Sequence, residues 1–267
     1  MARIGLVAGY GDLPVIFARL AKDKGDTVIA FGLEGVTDPR LGDVAHKMHW
    51  LKWGSLQKAL FLLATERIKR IAMLGKIKKD VLFKENEALD DQAKSIMKKA
   101  GDKKDYAILN EVALMLKKLG VEVIDSSDYL KDLIPQKGTL TKRSPTESEW
   151  ADINYGKDVA SKLAGLDIGQ TIVVKDKTVI AVEAVEGTDA AISRAFGLVR
   201  GGFVVVKAAR PDQDMRFDVP LVGIGTLRTL IDSGGSVLAL EGKKTLLIDK
   251  EELIKLADDK NISIVII

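Results

Sequence analysis

R-I-G-L-V-A-G-Y-G-D-L-P (residues 3–14) reads as a short apolar strand, a glycine turn and the start of a helix. Residues 3–8 form an apolar run of strand length that ends at a glycine, which describes a buried strand. Pro14 suits the first helical turn, where its missing N–H would be unpaired in any case. The predicted helix covers about residues 14–24 and stops at Lys24-Gly25.

Working outward, T-V-I-A-F (27–31), H-K-M-H-W-L (46–51), R-I-A-M-L (70–74) and V-E-V-I-D (121–125) repeat the strand pattern. Between them fall a helix over 55–66 with Ser55 as its N-cap, a lysine-rich helical region to about residue 100, and an amphipathic helix over 108–120. Strands alternating with helices imply a parallel sheet with right-handed crossovers. Residues 1–134 are therefore expected to form a doubly wound, Rossmann-like N-terminal domain. From Leu133 to Glu149 the chain carries two prolines and no periodicity, so 135–149 is expected to be a linker.

Residues 150–267 read as a second α/β domain. Its elements are a helix over 151–164, two strands in 171–186 turning at Lys175-Asp176-Lys177, a helix after Thr188 and a strand over 203–207. A helix near 223–226, strands over 236–240, 245–249 and 262–267, and a helix over 249–259 complete it. The hairpin makes its sheet mixed.

Of 267 residues, 46% are hydrophobic and 30% charged, which describes a globular chain with a real core. The absence of cysteine excludes disulfides, thiolate catalysis and Cys-ligated zinc. His46 and His49 are the two histidines; they straddle a strand and are not assigned catalysis. Any metal must then be held by oxygen, which favours Mg2+ or Mn2+. The N-terminus does not read as a signal peptide, and no apolar stretch reaches the roughly 20 residues of a membrane span, so a soluble cytoplasmic protein is expected. The net charge of +3 and the 5% aromatic content argue against nucleic acid. Between Glu66 and Lys104, however, 12 basic residues face 7 acidic ones, a local +5 that suits anionic headgroups or phosphates as well as plain solvation.

Three places carry chemistry. Gly9, Tyr10, Gly11, Asp12 and Leu13 sit where a dinucleotide fingerprint would, at a strand end before a helix. Pro14 replaces the third glycine of that fingerprint and Glu34 is only loosely placed as its ribose-binding acid, so an NAD(P)-dependent oxidoreductase stands as an alternative and a phosphate or sugar contact as the main reading. Gly75 and Lys76 end the fourth strand at the same sheet edge, where a lysine can reach phosphate. Trp50 and Trp53 read as packing.

The third place is Glu183 to Pro220, where Glu183, Glu186, Asp189, Asp212, Asp214 and Asp218 alternate with Arg194, Arg200, Lys207, Arg210 and Arg216. Within E-G-T-D (186–189), Gly187 turns the chain and Thr188 or Asp189 is expected to cap the next helix. In Q-D-M-R-F-D-V-P (213–220), local extension would put Asp214, Arg216 and Asp218 on one side, a cation between two carboxylates. Carboxylates that hold Mg2+ beside cations that neutralise phosphoryl oxygens suit metal-assisted reaction on a phosphate. A solvated, salt-bridged loop has the same composition.

A-G-Y-G-D-L-P (8–14), D-I-G-Q-T-I-V-V-K (167–175), A-V-E-A-V-E-G-T-D (181–189) and K-A-A-R-P-D-Q-D-M-R-F-D-V-P-L-V-G-I-G-T (207–226) resemble, in order, the LpxI family of lipid A synthesis. The resemblance implies hydrolysis of UDP-2,3-diacylglucosamine to lipid X and UMP with a divalent cation, by a homodimer at the cytoplasmic face of the inner membrane. It implies two domains closing over the substrate, water directed to the sugar-side phosphorus, and Asp218 as the essential acid. The expected site is then Asp218 and Asp214 as catalytic acids, these two with Glu183 as metal ligands, and Gly9 to Leu13, Gly75, Lys76, Gly187, Thr188, Asp189, Lys207, Gln213 and Arg216 around the substrate. A UDP-sugar or glycolipid binding module without turnover is the non-enzymatic alternative.

Overall fold

The computed structural model describes the chain apart from residues 77–88, 101–104, 211–212 and 218, and the side chains of 105–107. Asp212, Asp218 and much of the lysine-rich stretch thus lie outside the described residues. The chain divides into two compact units: Met1–Leu130 with Met215–Asp218, and Lys131–Asp214 with Val219–Ile267.

In the first unit five strands pair in parallel: β1 (Arg3–Ala8), β2 (Thr27–Leu33), β3 (Lys47–Leu51), β4 (Arg70–Leu74) and the short β5 (Glu122–Val123). Their order, β3-β2-β1-β4-β5, reverses direction between β1 and β4. That is the doubly wound arrangement, with its switch point at the end of β1. One face of the sheet, through Ile29, Phe31 and Ile71, packs on Leu63 and Leu116 of the helices Leu56–Thr65 and Asp105–Lys118. Ser55 occupies the N-cap position of the first of these helices, but its hydroxyl caps nothing. Asp90 does that work: one carboxylate oxygen accepts from Gln57 N (2.6 Å), the other from Ala93 N (2.9 Å) in the helix Asp91–Ala100. Both histidines are structural. His46 Nδ1 accepts from Val28 N, and His49 stacks on Phe31 and meets Glu66 at 2.8 Å.

The second unit is built on a mixed sheet of β6 (Gly138–Thr139), β7 (Thr171–Lys175), β8 (Thr178–Val182), β9 (Val204–Lys207), β11 (Val237–Leu240) and β13 (Ser263–Ile266), in the order β6-β13-β11-β9-β7-β8. The expected hairpin is β7–β8. Alternation along β9 explains the two cores: Val205 packs with Phe203, Leu227, Leu230 and Leu253 on one face, while Val204 and Val206 pack with Ile153 and Ala160 on the other. T-L-L-I-D does not join this sheet; its two-residue strand β12 (Leu246–Leu247) pairs with β10 (Leu221–Val222) in a separate ribbon. The stretch read as a linker holds β6 and the first turn of the helix Glu147–Gly165. That helix opens on a capping box, Thr146 accepting from Glu149 N while the Glu149 carboxylate accepts from Thr146 N.

Candidate functional site

In the first unit the ends of β1 and β4 are tied together. Gly9 N donates to Leu74 O (2.8 Å), and Tyr10 and Lys76 exchange two backbone bonds of 2.7 and 2.9 Å. Gly9 and Gly75 lie face to face: a Cβ on Gly75 would fall 2.9 Å from Gly9 Cα, and one on Gly9 would fall 2.7 Å from Lys76 O. The close backbone approach that these glycines permit is therefore to each other. Leu13 is buried as the first residue of the helix Leu13–Asp23, with its side chain in the core.

Tyr10, Gly11 and Asp12 instead face a cavity of about 740 Å3 over the carboxyl ends of β1, β2 and β3. The loop after β2 forms its other wall. Thr37 fixes that loop, its buried hydroxyl donating to Ala8 O and accepting from Leu33 N. Arg40 reaches across, bonding Asp12 at 2.5 Å and, through Nε, Asp38 at 2.8 Å. The Arg40 hydrogen bonds hold the Asp38 carboxyl below its usual range, and the two carboxylates keep Arg40 charged.

In the second unit, Lys207 at the end of β9, Thr171 at the start of β7, Glu183 just past β8 and Glu241 just past β11 share one sheet edge. Lys207 is buried at 7% exposure, and its Nζ donates to Thr188 Oγ1 at 3.1 Å. Thr188 in turn donates to Glu183 Oε1 at 2.8 Å. This cation–hydroxyl–carboxylate relay lies at the N-terminus of the helix Thr188–Val199, whose orphan N–H groups favour negative charge. Gly169 makes the edge compact: a Cβ there would stand 2.0 Å from Glu183 O. Beyond β9, Arg210 pairs with Asp167 (2.6 Å), Gln213 closes a turn with Arg210 N (3.0 Å), and Glu241 accepts from Ala209 N (2.8 Å).

Several expectations need correcting. Neither Thr188 nor Asp189 caps the helix; Gly187 holds the N-cap position with a φ of +86°, and the Asp189 carboxylate accepts from Thr226. Glu186 pairs with Arg194 at 2.7 Å. Its carboxyl is held low by backbone N–H groups first and by Arg194 second. The segment around Arg216 is not extended: Met215, Arg216 and Phe217 form a turn, with Phe217 buried among Phe31, Leu63 and Val123 of the first unit and the Arg216 guanidinium 4.8 Å over its ring. The local extension that would put Asp214 and Arg216 on one side therefore does not hold, because burial of Phe217 sets the backbone. Asp214 is half-buried in the second unit, and Asp218 lies outside the described residues.

The sequence reading missed Thr171, Asp167, Glu241, Thr37 and Arg40. Glu241 had a visible cue, an acid and a glycine directly after the apolar run 236–240. Among the described residues no three Asp, Glu or His side chains gather into a metal cage. The available donors are oxygen, and a hard cation held by one or two carboxylates and completed by phosphate oxygens fits that supply. No helix among the described residues is long and apolar enough to cross a membrane.

Family models described as the LpxI N-terminal domain and the LpxI C-terminal domain match residues 3–133 and 136–265. The chain is also similar to the UDP-2,3-diacylglucosamine pyrophosphatase LpxI of Caulobacter vibrioides, 31% identical over 270 residues that cover 97% of this chain and 95% of that protein.

Proposed function

The chain belongs to the LpxI family, and from that membership and the chemistry of its sheet edges we propose that it hydrolyses the pyrophosphate of UDP-2,3-diacylglucosamine in lipid A synthesis. Water attacks the sugar-side phosphorus. The bond from that phosphorus to the bridging oxygen breaks, the bridging oxygen leaves with UMP, and the other product is 2,3-diacylglucosamine 1-phosphate (lipid X). The observation that carries this reading is the Lys207–Thr188–Glu183 relay at a helix N-terminus, on two of the motifs that mark the family.

Glu183 orients the Thr188 hydroxyl, Thr188 orients Lys207, and the preset ammonium stabilises charge growing on the phosphoryl oxygens. Holding Lys207 in place beforehand avoids the cost of ordering a flexible chain during the reaction. Asp218 is assigned as the base that takes the proton from water. Asp214, Asp218 and Glu183 are the carboxylates that would hold Mg2+ or Mn2+, which supplies Lewis-acid polarisation of the phosphate when bound. A homodimer and a transient contact with the cytoplasmic face of the inner membrane belong to the same proposal.

The test is UMP release from UDP-2,3-diacylglucosamine with Mg2+, with Mn2+ and with EDTA, for the wild type and Asp218→Asn. Metal-dependent release of UMP and lipid X that the variant loses while staying folded is the expected result. Release insensitive to EDTA would remove the metal from the proposal, and a fully active variant would remove Asp218. Binding without turnover would leave a glycolipid-binding module.

A further inference from the structure

The basic excess between Glu66 and Lys104 has no role in the chemistry above, and part of it lies on described helices of the first unit. The helices Leu56–Thr65 and Asp105–Lys118 pack on one face of the sheet through Leu63 and Leu116, and Asp91–Ala100 lies against both. On a helix, side chains three or four positions apart share a face, and a side chain two positions from a buried one turns away from it. Phe61 stands two positions before Leu63, and Leu114 two before Leu116. Both therefore point away from the sheet on the same side of the unit, and they are 71% and 45% exposed. Lys58 shares the stripe of Phe61, and Lys118 lies one turn beyond Leu114.

The three helices carry six lysines against Asp91, Asp105 and Glu111, a net +3. Lys94, Lys98, Lys99, Lys117 and Lys118 are exposed, and among the described residues none of them meets a carboxylate. Four of these lysines occupy the last turn of their helix, where a cation complements the macrodipole. That accounts for their charge, but not for a phenyl ring and a leucine exposed on the same outer layer. Exposed apolar side chains set among unpaired lysines suit the boundary of a bilayer. The apolar groups enter between headgroups, while long lysine stems carry their ammonium groups to lipid phosphates.

Resting on the pyrophosphatase reading, in which the substrate is a lipid, we propose that the outer face of these three helices docks the protein on an anionic bilayer. Phe61 and Leu114 enter the headgroup region, and Lys98 and Lys118 meet lipid phosphates. Few apolar side chains take part and no helix among the described residues can cross a membrane, so the contact is peripheral and reversible. Attraction between exposed charges is screened, so binding weakens as salt rises.

The test is co-sedimentation of the full chain with vesicles of phosphatidylcholine alone and of phosphatidylcholine with an equal part of phosphatidylglycerol, at low and at high NaCl. It compares the wild type, Phe61→Ser and the double variant Lys98→Glu/Lys118→Glu. The wild type should bind the anionic vesicles, release them in high salt and leave the neutral ones in solution. Reversing two charges should weaken anionic binding by more than roughly tenfold, since each basic residue near such a surface is worth about fivefold. Phe61→Ser should weaken it by roughly fivefold, the scale of a partly inserted ring. UMP release should match the wild type for both variants when substrate is dispersed in detergent micelles. KM should rise when the substrate is held in anionic vesicles.

Equal binding to both kinds of vesicle, or anionic binding that neither variant weakens, overturns the docking surface and leaves the enzyme reading intact. Sedimentation velocity gives a second way to lose it: variants that convert a dimer to a monomer while vesicle binding persists assign this face to a second copy of the chain. Vesicle binding as expected without UMP release defeats the enzyme reading and keeps the docking surface. The lysine pair stands two positions past Ile96 and Leu116 on the exposed side, so a folding defect in Phe61→Ser would leave the test standing on the double variant. Melting curves check both proteins.

Discussion

A methyl group added at Gly169 should damage the second unit twice, in stability and in rate. The Cβ of Gly169→Ala would stand 2.0 Å from the carbonyl oxygen of Glu183 and 2.7 Å from its carbonyl carbon. Nonbonded carbon prefers roughly 3.5 Å, so the turn 167–170 and the strand end must part by more than about 1 Å. Neither side yields easily. Glu183 N is bonded to Thr171 O at 2.9 Å, and Ala208 N to Gln170 O at 2.9 Å, so both partners are backbone held by the sheet. Overpacking of this kind costs about 2–3 kcal/mol, or roughly 5–10 °C in Tm for a unit of this size. The displaced residue is Glu183, which orients Thr188 and through it Lys207, and a misplacement of about 1 Å in such a relay lowers kcat roughly a hundredfold. Gly197→Ala is the matched control: nothing lies within 4 Å of its Cβ in the helix Thr188–Val199, so alanine should stabilise by about 0.5–1 kcal/mol. Calorimetric melting and UMP release on both variants decide the matter. A Gly169→Ala protein that melts with the wild type and turns over at its rate would refute the close packing and the relay built on it.

Other sites give distinct outcomes. Asp90→Ala removes caps from two helix N-termini at once and should cost about 1–3 kcal/mol in urea unfolding, while Ser55→Ala should cost almost nothing. Glu66 is pulled down to about 2 from an ordinary 4.5, by its hydrogen bonds to Lys47, then His49 and Arg3. A depressed carboxyl stabilises fully above its unfolded value, so this contribution should fade as pH falls from about 4.5 to about 2; the Glu66→Gln urea midpoint should fall less steeply with acid than the wild type in that window. Phe217→Ala removes a ring at 8% exposure and should cost the first unit about 3–4 kcal/mol, and a denaturant midpoint equal to wild type would show that this segment does not pack there.

What could be read from the residues was what repeats. Five apolar runs separated by helical patterns define the sheet of the first unit, and Lys175-Asp176-Lys177 marks the β7–β8 hairpin, because both signals are local. What stayed hidden depends on distant partners. Ser55 has the residue type of a cap, but the oxygen that reaches Gln57 N comes from Asp90, which no local pattern announces. Leu246 and Leu247 look like any buried strand, yet they pair with Leu221 and Val222 and leave the main sheet. The capping box at Thr146 to Glu149 carries a local cue, but the prolines around it made the stretch read as a linker. In the site, Gly9 was readable as part of a turn at a strand end, but that the backbone at Gly75 is what approaches it is a tertiary fact.

The acidic motif shows why charge spacing alone misleads. Q-D-M-R-F-D-V-P looks like a chemical pattern of acid, base, acid with apolar residues as spacers. Phe217 is the residue that decides its backbone, because burying a phenyl ring is worth about 2–3 kcal/mol whereas an exposed ion pair between Arg216 and its neighbours is worth a fraction of that. The chain therefore turns at Met215 to Phe217 to seat the ring, Arg216 lies over that ring, and Met215 O accepts from Ser126 Oγ at 3.3 Å. Asp214 leads into this turn and does not run along one face of a strand. The Met215–Phe217 turn is set by how the aromatic side chain packs, so a conservative change at Phe217 should disturb that turn more than any change of the neighbouring charges would.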